Sequence, residues 1–146
     1  MFHIRAAIPG DLAFVAQTWL DNYRDSAVAN SLSGLYTRRW REVIQMLLGR
    51  AQVSIAYDDD MPQVIIGFLV FEHGTPDVVH YIYVRREFRR KHVAHDLFHQ
   101  VDRSFVYTHR TADAQRLTNL MLLAHLHDAA KPKGVYDFTR IWTTHE

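Results

Sequence analysis

Five basic residues lie close together in one short segment of the chain, at Arg85, Arg86, Arg89, Arg90 and Lys91. The segment follows a run of β-branched and aromatic residues and precedes apolar residues at helical spacing, so it should join a strand to a helix. The first amides of a helix lack partners within the helix, and the helix dipole places about half a positive charge at that end. The segment therefore predicts a binding site for phosphate or another anion, with a solvated basic turn as the plainer alternative.

Three histidines follow the basic residues, and His92, His95 and His99 fall on one face of the expected helix. His95 and His99 have the i, i+4 spacing of a metal-binding pair. Zinc usually takes a third protein ligand with a supporting outer shell, however, and phosphate would occupy the same face. We therefore predict no metal site.

Composition restricts the class of protein. With 146 residues, of which 48% are hydrophobic and 23% charged, the chain suits one globular domain with a sizeable core. The absence of cysteine excludes disulfides, thiolate metal sites and a cysteine nucleophile. The 17 basic and 16 acidic side chains give a net charge of only +1, which does not indicate a general nucleic-acid-binding surface. No secretory signal or membrane span is recognisable, so we expect a cytoplasmic protein without a membrane partner.

The elements that precede the basic segment follow from hydrophobic periodicity. Residues 2–8 alternate as in a half-buried strand, and Pro9-Gly10-Asp11 then opens a helix. A second amphipathic helix follows a polar stretch and leads to the next strand. Turn residues then separate three strands that should form an antiparallel meander, at about residues 52–57, 64–72 and 78–84.

The elements that follow the basic segment are a helix, a short strand and a second helix. Apolar residues from Val93 to Phe105 line one face of the first helix. Residues 105–109 suit a short strand, Thr111 suits a helix N-cap, and residues 117–124 carry the apolar stripe of a last helix. Pro132 and Gly134 end that helix before a β-rich stretch at residues 135–142.

The strand, the basic segment and the helix together form a known motif. Residues 78–84, then residues 88–94 and Leu97-Phe98, resemble the acetyl-CoA motif of the GCN5-related N-acetyltransferases, Arg/Gln-x-x-Gly-x-Gly/Ala. Residues 4–12 and Ile66-Gly67-Phe68 are similar to the family's first strand and helix and its third strand, and residues 80–84 are more weakly similar to short phage and prophage members. The resemblance implies an α/β fold with a mixed, mostly antiparallel central sheet flanked by helices. It also implies a single acyl-CoA N-acyltransferase (GNAT) domain over residues 1–146.

The resemblance also implies how acetyl-CoA, the cosubstrate, would bind. The amides from Arg90 to Ala94 would hold the pyrophosphate, Arg89 and Lys91 would add charge, and the strand end would pair with the pantetheine arm. The implied coenzyme-binding residues are Ile82, Tyr83, Val84, Arg89, Arg90, Lys91, His92, Val93 and Ala94. His92 stands where the family has its first motif glycine, so the amide is kept but side-chain bulk is added and glycine's backbone freedom is lost.

The implied function is transfer of an acetyl group from acetyl-CoA to an amine, which needs a base, donors for the developing oxyanion and a proton for the leaving thiolate. His80 occupies a strand position where some family members carry a base, four residues before Val84 on the same face of the strand, and imidazole titrates in the useful range. A half-buried histidine satisfied by hydrogen bonds is the structural alternative. Glu72 is the second candidate for the base. The family's acid tyrosine would fall at Ala130, so His127 is the substitute.

The expected partners are acetyl-CoA and an amine, carried by a small molecule or a protein, with a homodimer left open. The acceptor cleft would draw on residues 19–40, whose mixed charges do not select one kind of amine. The alternative function is a non-catalytic protein of the same fold that binds a protein or nucleic acid through its basic edge. His92 and the missing tyrosine favour that alternative, although nucleic acid is not the expected partner.

Overall fold

Strands form a mixed sheet at the centre of the molecule. Within residues 1–24, 34–102, 104–108 and 133–136, which the computed structural model describes, six strands lie in the order β1-β2-β3-β4-β5-β6. They are β1 (Phe2–Ala6), β2 (Gln52–Asp58), β3 (Ile65–Glu72), β4 (Asp77–Val84), β5 (Ser104–Tyr107) and β6 (Lys133–Tyr136). Neighbouring strands are antiparallel from β1 to β4 and parallel from β4 to β6. The predicted mixed sheet and its central meander are confirmed.

Helices cover both faces of this sheet. α1 (Leu12–Arg24) and α2 (Gly34–Leu48) lie on one face, where Trp19 and Phe68 are fully buried in one apolar cluster. α3 (Val93–Phe98) lies on the other face, where Leu97 packs against Leu69 of β3 in a second cluster. Full burial of a large apolar side chain stabilises a fold by about 1.5–3 kcal/mol, so both layers contribute to the core. No helix in the described ranges has both the length and the apolar surface that a membrane span requires.

An ion pair fixes the connection from β1 to α1. Arg5 donates to both carboxylate oxygens of Asp11, at 2.6 and 3.1 Å, and Asp11 also accepts the N–H of Ile8 at 2.9 Å. Charge-assisted bidentate bonds are stronger than neutral ones, and the hydrogen bonds from Arg5 lower the pKa of Asp11. Pro9 begins a short 3-10 turn that leads directly into α1. The predicted break between strand and helix is confirmed.

The helix after the basic segment is shorter than predicted. α3 ends at Phe98, whereas Phe105 belongs to β5. The N–H of Asp102 donates to the buried carboxylate of Asp77 at 2.8 Å, which holds the chain in position to enter β5. Phe105 still packs in the same apolar cluster as Leu97. The hydrophobic spacing therefore identified the buried side chains correctly but placed the end of the helix wrongly.

Part of the predicted C-terminal region lies outside the described residues. This applies to the N-cap at Thr111 and to the last helix with its stripe at residues 117–124. β5 overlaps the short strand predicted at residues 105–109 and begins one residue earlier. β6 overlaps the start of the β-rich stretch predicted at residues 135–142. Residues 137–142 of that stretch lie outside the described residues as well.

Gly67 on β3 marks a close approach between the strands and α3. A Cβ at this position would lie 2.7 Å from the backbone oxygen of Tyr83 and 3.4 Å from Cγ1 of Val93. The first distance is too short for a real Cβ contact, and it involves backbone rather than a side chain that can rotate away. Glycine is therefore needed here for close packing between β3, β4 and the start of α3.

Asp77 joins the turn before β4 to the segment before β5. Its carboxylate is 5% exposed and accepts the N–H groups of Gly74 and Asp102, each at 2.8 Å, with Nδ1 of His73 at 3.3 Å. Burial by itself would raise the pKa of Asp77, but the hydrogen bonds from Asp102, Gly74 and His73 outweigh burial, and the pKa is lowered.

We expect Gly67→Ala to lower the free energy of unfolding by about 1–3 kcal/mol, because added volume at a packed contact forces the backbone to shift. Gly10→Ala is the matched control, since nothing lies within 4 Å of a Cβ at that position. Chemical unfolding followed by circular dichroism measures both variants. Equal stability of the two would show that β4 can move aside without cost.

We expect Asp77→Asn to reduce stability at neutral pH and to weaken its acid dependence. The folded pKa of Asp77 lies below the unfolded value of about 3.9, so its carboxylate stabilises the fold fully above that pH. This stabilisation is lost as the pH falls through the folded pKa. Denaturant unfolding at pH 7 and below pH 4 tests the expectation, with the exposed Asp60→Asn as the control. A variant as acid-sensitive as the parent would contradict it.

Candidate active site

The basic segment enters α3 through two residues with left-handed backbone. Arg90 has a φ of 63° and His92 a φ of 64°, although neither is glycine. This conformation costs a residue with a side chain about 1–2 kcal/mol, and such strain is concentrated at binding sites. His92 therefore has the backbone angle for which glycine is favoured, at the position where the family motif has glycine.

Five successive amides, those of residues 90–94, surround this turn and are named the amide loop here. Among the described residues, the N–H groups of Arg90, Lys91 and His92 have no hydrogen-bond partner. Those of Val93 and Ala94 belong to the first turn of α3, where the helix offers no acceptor. Left-handed residues between others turn successive N–H groups into a concave anion-binding surface. The amide loop therefore offers N–H donors at the place where an anion site is predicted, and anion binding there stays a prediction.

The side chains around the amide loop are basic and accessible. All five are partly or fully exposed: Arg85, Arg86, Arg89, Arg90 and Lys91. Nε of Arg89 donates to the backbone oxygen of Val84 at 3.1 Å, which holds this guanidinium at the end of β4. The other four cations form no ion pair with a described acidic residue. They are available to an anionic ligand.

Strand β4 is paired along nearly its whole length on one side, but only along its first residues on the other side. β3 pairs with it from Val78 to Val84, whereas β5 pairs only with its first three residues. The last backbone bond toward β5 runs from the N–H of Thr108 to the oxygen of Val79, at 3.1 Å. Beyond Val79, the β5 side of β4 is an open edge among the described residues.

The direction of the backbone identifies the groups on this open edge. The N–H of Arg85 donates to the backbone oxygen of Ile66, near the start of β3, at 2.7 Å. Successive residues of a strand direct their backbone groups to opposite edges, so Val84 and Ile82 direct theirs to the open edge. Tyr83 directs its backbone toward β3. Since Arg89 meets the oxygen of Val84, the open edge continues directly into the amide loop.

His80 lies at an irregularity in β4. Two neighbouring residues of β3 pair with Val79 and Tyr81, so His80 is the extra residue of a β-bulge. The predicted alternation, which placed His80 on the same face as Val84, does not continue across a bulge. Val79 packs in the same apolar cluster as Val84, while Tyr81 packs in the cluster on the opposite face.

His80 and Glu72 are in direct contact inside the protein. Nε2 of His80 lies 2.6 Å from Oε2 of Glu72, and Nδ1 lies 2.9 Å from Oγ1 of Thr108. The other carboxylate oxygen of Glu72 lies 3.1 Å from Nε of Arg50. The two candidates for the base thus belong to one buried polar network, in which the imidazole of His80 has no exposed surface.

Burial of this network bears on the predicted roles. A general base must come within about 2.6–3.2 Å of the proton that it removes, directly or through one water. Both ring nitrogens of His80 already have partners, which is the arrangement expected for a structural histidine. The role of His80 as base stays a prediction. So does the role of His127 as acid, because that residue lies outside the described part of the chain.

Aromatic residues join α1 to β4 beside the bulge. Trp19 stacks on Tyr81 with ring centroids 5.0 Å apart and an interplanar angle of 16°. Nδ2 of Asn22 donates to the hydroxyl of Tyr81 at 2.7 Å. Trp19 and Asn22 belong to the predicted acceptor region, of which residues 25–33 lie outside the described ranges.

Several residues of this region were not identified by sequence reasoning. Arg50 and Thr108 complete the buried network, yet each lies in a connection where neither periodicity nor spacing indicates a partner. The importance of Gly67 had a signal, because an isolated glycine within a β-branched strand often marks close approach by another backbone. No feature of the sequence indicated the importance of Asp96, which lies beside His95.

Comparisons with known proteins agree with this architecture. No protein-family model and no curated protein sequence matches the chain. A candidate acetyl transferase from Pyrococcus furiosus has a solved structure that aligns with 82% of this chain and 91% of its own, with a TM-score of 0.60 and 10% identity. A Corynebacterium glutamicum protein described as histone acetyltransferase HPA2 and related acetyltransferase aligns over 82% of each chain, with a TM-score of 0.55 and 10% identity. The chain has the GNAT fold.

A third GNAT-like structure is that of the PaiA N-acetyltransferase from Thermoplasma acidophilum, solved in complex with coenzyme A. It aligns with 68% of this chain and 69% of its own, at 16% identity and a TM-score of 0.46. The two alignments with TM-scores of 0.55 and 0.60 show a shared fold alone at 10% identity, so the chemistry of this GNAT-fold protein has to be argued from its own residues.

We expect Glu72→Gln to destabilise this GNAT fold, because Arg50 and His80 would lose the carboxylate between them. Leaving a buried partner unsatisfied costs about 1–3 kcal/mol, and more for a charged group. Glu87→Gln, at an exposed position, is the matched control. Urea unfolding measures both variants at neutral pH. If both unfold at the urea concentration of the parent, the network contributes nothing to stability.

Proposed function

We propose that this protein is an N-acetyltransferase that moves an acetyl group from acetyl-CoA to an amine, acting as a single domain. The observation that carries the proposal is the junction between the amide loop and the open edge of β4. Two residues with side chains, Arg90 and His92, have left-handed backbone at this junction. Among the described residues, loop amides without a hydrogen-bond partner lie next to strand groups of β4 that no neighbouring strand pairs, and basic side chains surround both.

The two parts of this junction suit the two parts of acetyl-CoA. The pyrophosphate would accept hydrogen bonds from the amide loop, with Arg89 and Lys91 supplying charge. The pantetheine arm contains amide groups, which would pair with the backbone of Ile82 and Val84 as an added strand does. Acetyl-CoA supplies an acetyl group on a thioester, which is activated for attack by an amine.

An amine that arrives protonated would lose two protons in this reaction. It first gives up one proton to become a neutral nucleophile. The neutral amine then attacks the thioester carbonyl, the carbon–sulfur bond breaks, and the second proton from the nitrogen is taken up by the coenzyme thiolate. Backbone N–H groups on the open edge are available to stabilise the charge that develops on the carbonyl oxygen. For the amine proton the proposal keeps His80, supported by Glu72, because their network lies beside Val79, where β4 and β5 separate.

The acceptor would approach from the side of α1. Trp19, Asn22 and Tyr81 form the contact between this helix and the bulge in β4, next to His80. Trp19 and Tyr81 are buried, whereas Asn22 is exposed, so an approaching acceptor would meet the side-chain amide of Asn22 at this contact. Either a small-molecule amine or a protein lysine is compatible with this proposal.

The second candidate function is a non-catalytic protein of this fold that binds a protein or nucleic-acid partner through the basic edge. Two observations favour it. The imidazole of His80 is buried, so a substrate could reach it only after the network opens. His92 adds a side chain at the amide loop where the family motif has none.

Titration calorimetry with acetyl-CoA at fixed salt tests the proposal. We expect the parent to bind one coenzyme per chain and the double variant Arg89→Ala with Lys91→Ala to bind at least about tenfold more weakly, since each charge-assisted contact contributes about 1.5–3 kcal/mol. Arg41→Ala, an exposed cation on α2, is the control for loss of charge alone. Unchanged affinity in the double variant would remove the amide loop from the coenzyme site.

His92→Gly extends the same titration. Glycine adopts a φ near 64° without strain, so this variant should bind acetyl-CoA at least as well as the parent. Weaker binding with a dependence on pH near the histidine range would instead indicate that the imidazolium contacts phosphate. If neither protein binds acetyl-CoA, the proposed function is wrong. Tight binding without turnover of any amine in an acetylation assay would favour the non-catalytic alternative.

A further inference from the structure

Three donor side chains lie together on the exposed surface of α3 and take no part in the proposed acetyl transfer. His95, Asp96 and His99 each offer a ligand atom, and these atoms all lie within 4.8 Å of one another. The imidazole rings of His95 and His99 have centroids 4.6 Å apart, and Nδ1 of His95 lies 3.3 Å from Oδ1 of Asp96. We propose that these three residues, named the α3 triad, bind one divalent ion of the zinc class.

The helix backbone holds the α3 triad in place. His95 and His99 are separated by about one helical turn, which puts both imidazoles on one side of α3. His99 follows the last residue of the helix but keeps helical angles, with φ −59° and ψ −20°, so this spacing is preserved. Asp96 lies beside them with 45% of its side chain exposed. Side-chain rotations would bring the three donor atoms, which lie within 4.8 Å of one another, onto one ion.

The kinds of donor atom select the class of metal. Two imidazole nitrogens and one carboxylate oxygen suit zinc and its neighbours in the first transition series, whereas magnesium and calcium favour sites made of oxygen alone. Zinc bound to three protein ligands completes its coordination with water, and the exposure of the triad allows water to reach it. The third protein ligand, which the histidine spacing lacked, is Asp96.

Other histidine–carboxylate contacts in the described residues are less complete. His3 lies 2.8 Å from Asp59, and His73 lies 3.3 Å from Asp77, each without a second imidazole. Among the described residues, the α3 triad is the group in which three such donors lie within reach of one ion. His3 therefore provides a matched control, because it is exposed and has a carboxylate neighbour.

Zinc binding to the untagged protein tests the proposal, with Zn²⁺ alone as the probe and a chromophoric chelator as competitor. We expect one ion per chain in the parent and in His3→Ala. His95→Ala and His99→Ala should each weaken binding by more than about tenfold, since even loss of an outer-shell partner costs this much. Asp96→Asn should also bind more weakly than the parent, because it loses the charged oxygen.

Thermal unfolding gives a second measurement that does not involve acetyl-CoA, so that its result is independent of the proposed function. Zn²⁺ should raise the midpoint temperature of unfolding of the parent and of His3→Ala, because an ion that binds the folded state stabilises that state. It should not raise the midpoint of His95→Ala or His99→Ala, and Mg²⁺ should not raise that of the parent. Without added metal, the three histidine variants should unfold at the same temperature as the parent, since the substituted side chains are exposed.

Four results would overturn the proposal. The parent would bind no zinc at micromolar concentrations, or the triad variants would bind it as tightly as the parent does. Loss of binding in His3→Ala, with binding kept in His95→Ala, would place the ion elsewhere. An equal rise of the midpoint with Mg²⁺ would contradict the selection by nitrogen donors.

Discussion

Among the residues that the structure describes, strand β4 beyond Val79 is hydrogen-bonded to a strand on one side only, and the candidate site depends on this separation from β5. Backbone N–H and C=O groups in proteins nearly always find partners, so an open edge in the middle of a sheet is a binding surface. Arg89 supplies one partner at the oxygen of Val84. A ligand with amide groups of its own would supply others. The lack of strand pairing beyond Val79 is thus the feature on which the proposed binding site depends.

The buried network around His80 lies where the two strands separate. Glu72 connects it to β3, Arg50 to the end of α2, and Thr108 to the end of β5. A buried ionic network seldom adds much net stability, because desolvation offsets the attraction between its charges. Its value is more often to specify one arrangement of the chain. Here it links Thr108, the first residue after β5, to the bulge in β4, so it can set how far the two strands part.

Much of the fold followed from the sequence because strands and helices impose different periods on their apolar residues. The meander, the break at Pro9 and the start of α3 were all predicted in this way. The end of α3 was not, because Phe105 keeps helical spacing while the hydrogen bond from Asp102 to Asp77 leads the chain into a strand. The face of His80 was not predicted either, since nothing in an alternating pattern marks a bulge.

The candidate site was predictable to a different extent. The cluster of charges located the amide loop, and its likeness to a motif supplied its chemistry. The left-handed angle of His92 follows from that likeness, whereas the same angle at Arg90 has no signal in the sequence. Asp96 was missed because adjacent residues on a helix do not normally face each other, and only the coordinates show that its carboxylate reaches His95.

Gly67 has a consequence for recognising distant relatives of this chain. At 10% identity most positions of two aligned chains carry unrelated residues, so an alignment has few fixed points. A side chain at Gly67 would meet the backbone oxygen of Tyr83 on β4, and this steric limit applies to any protein in which the two strands approach each other in the same way. Any such chain must either keep a glycine there or move the neighbouring strand aside. A single residue in the middle of an apolar strand can therefore anchor an alignment where the surrounding sequence has lost all resemblance.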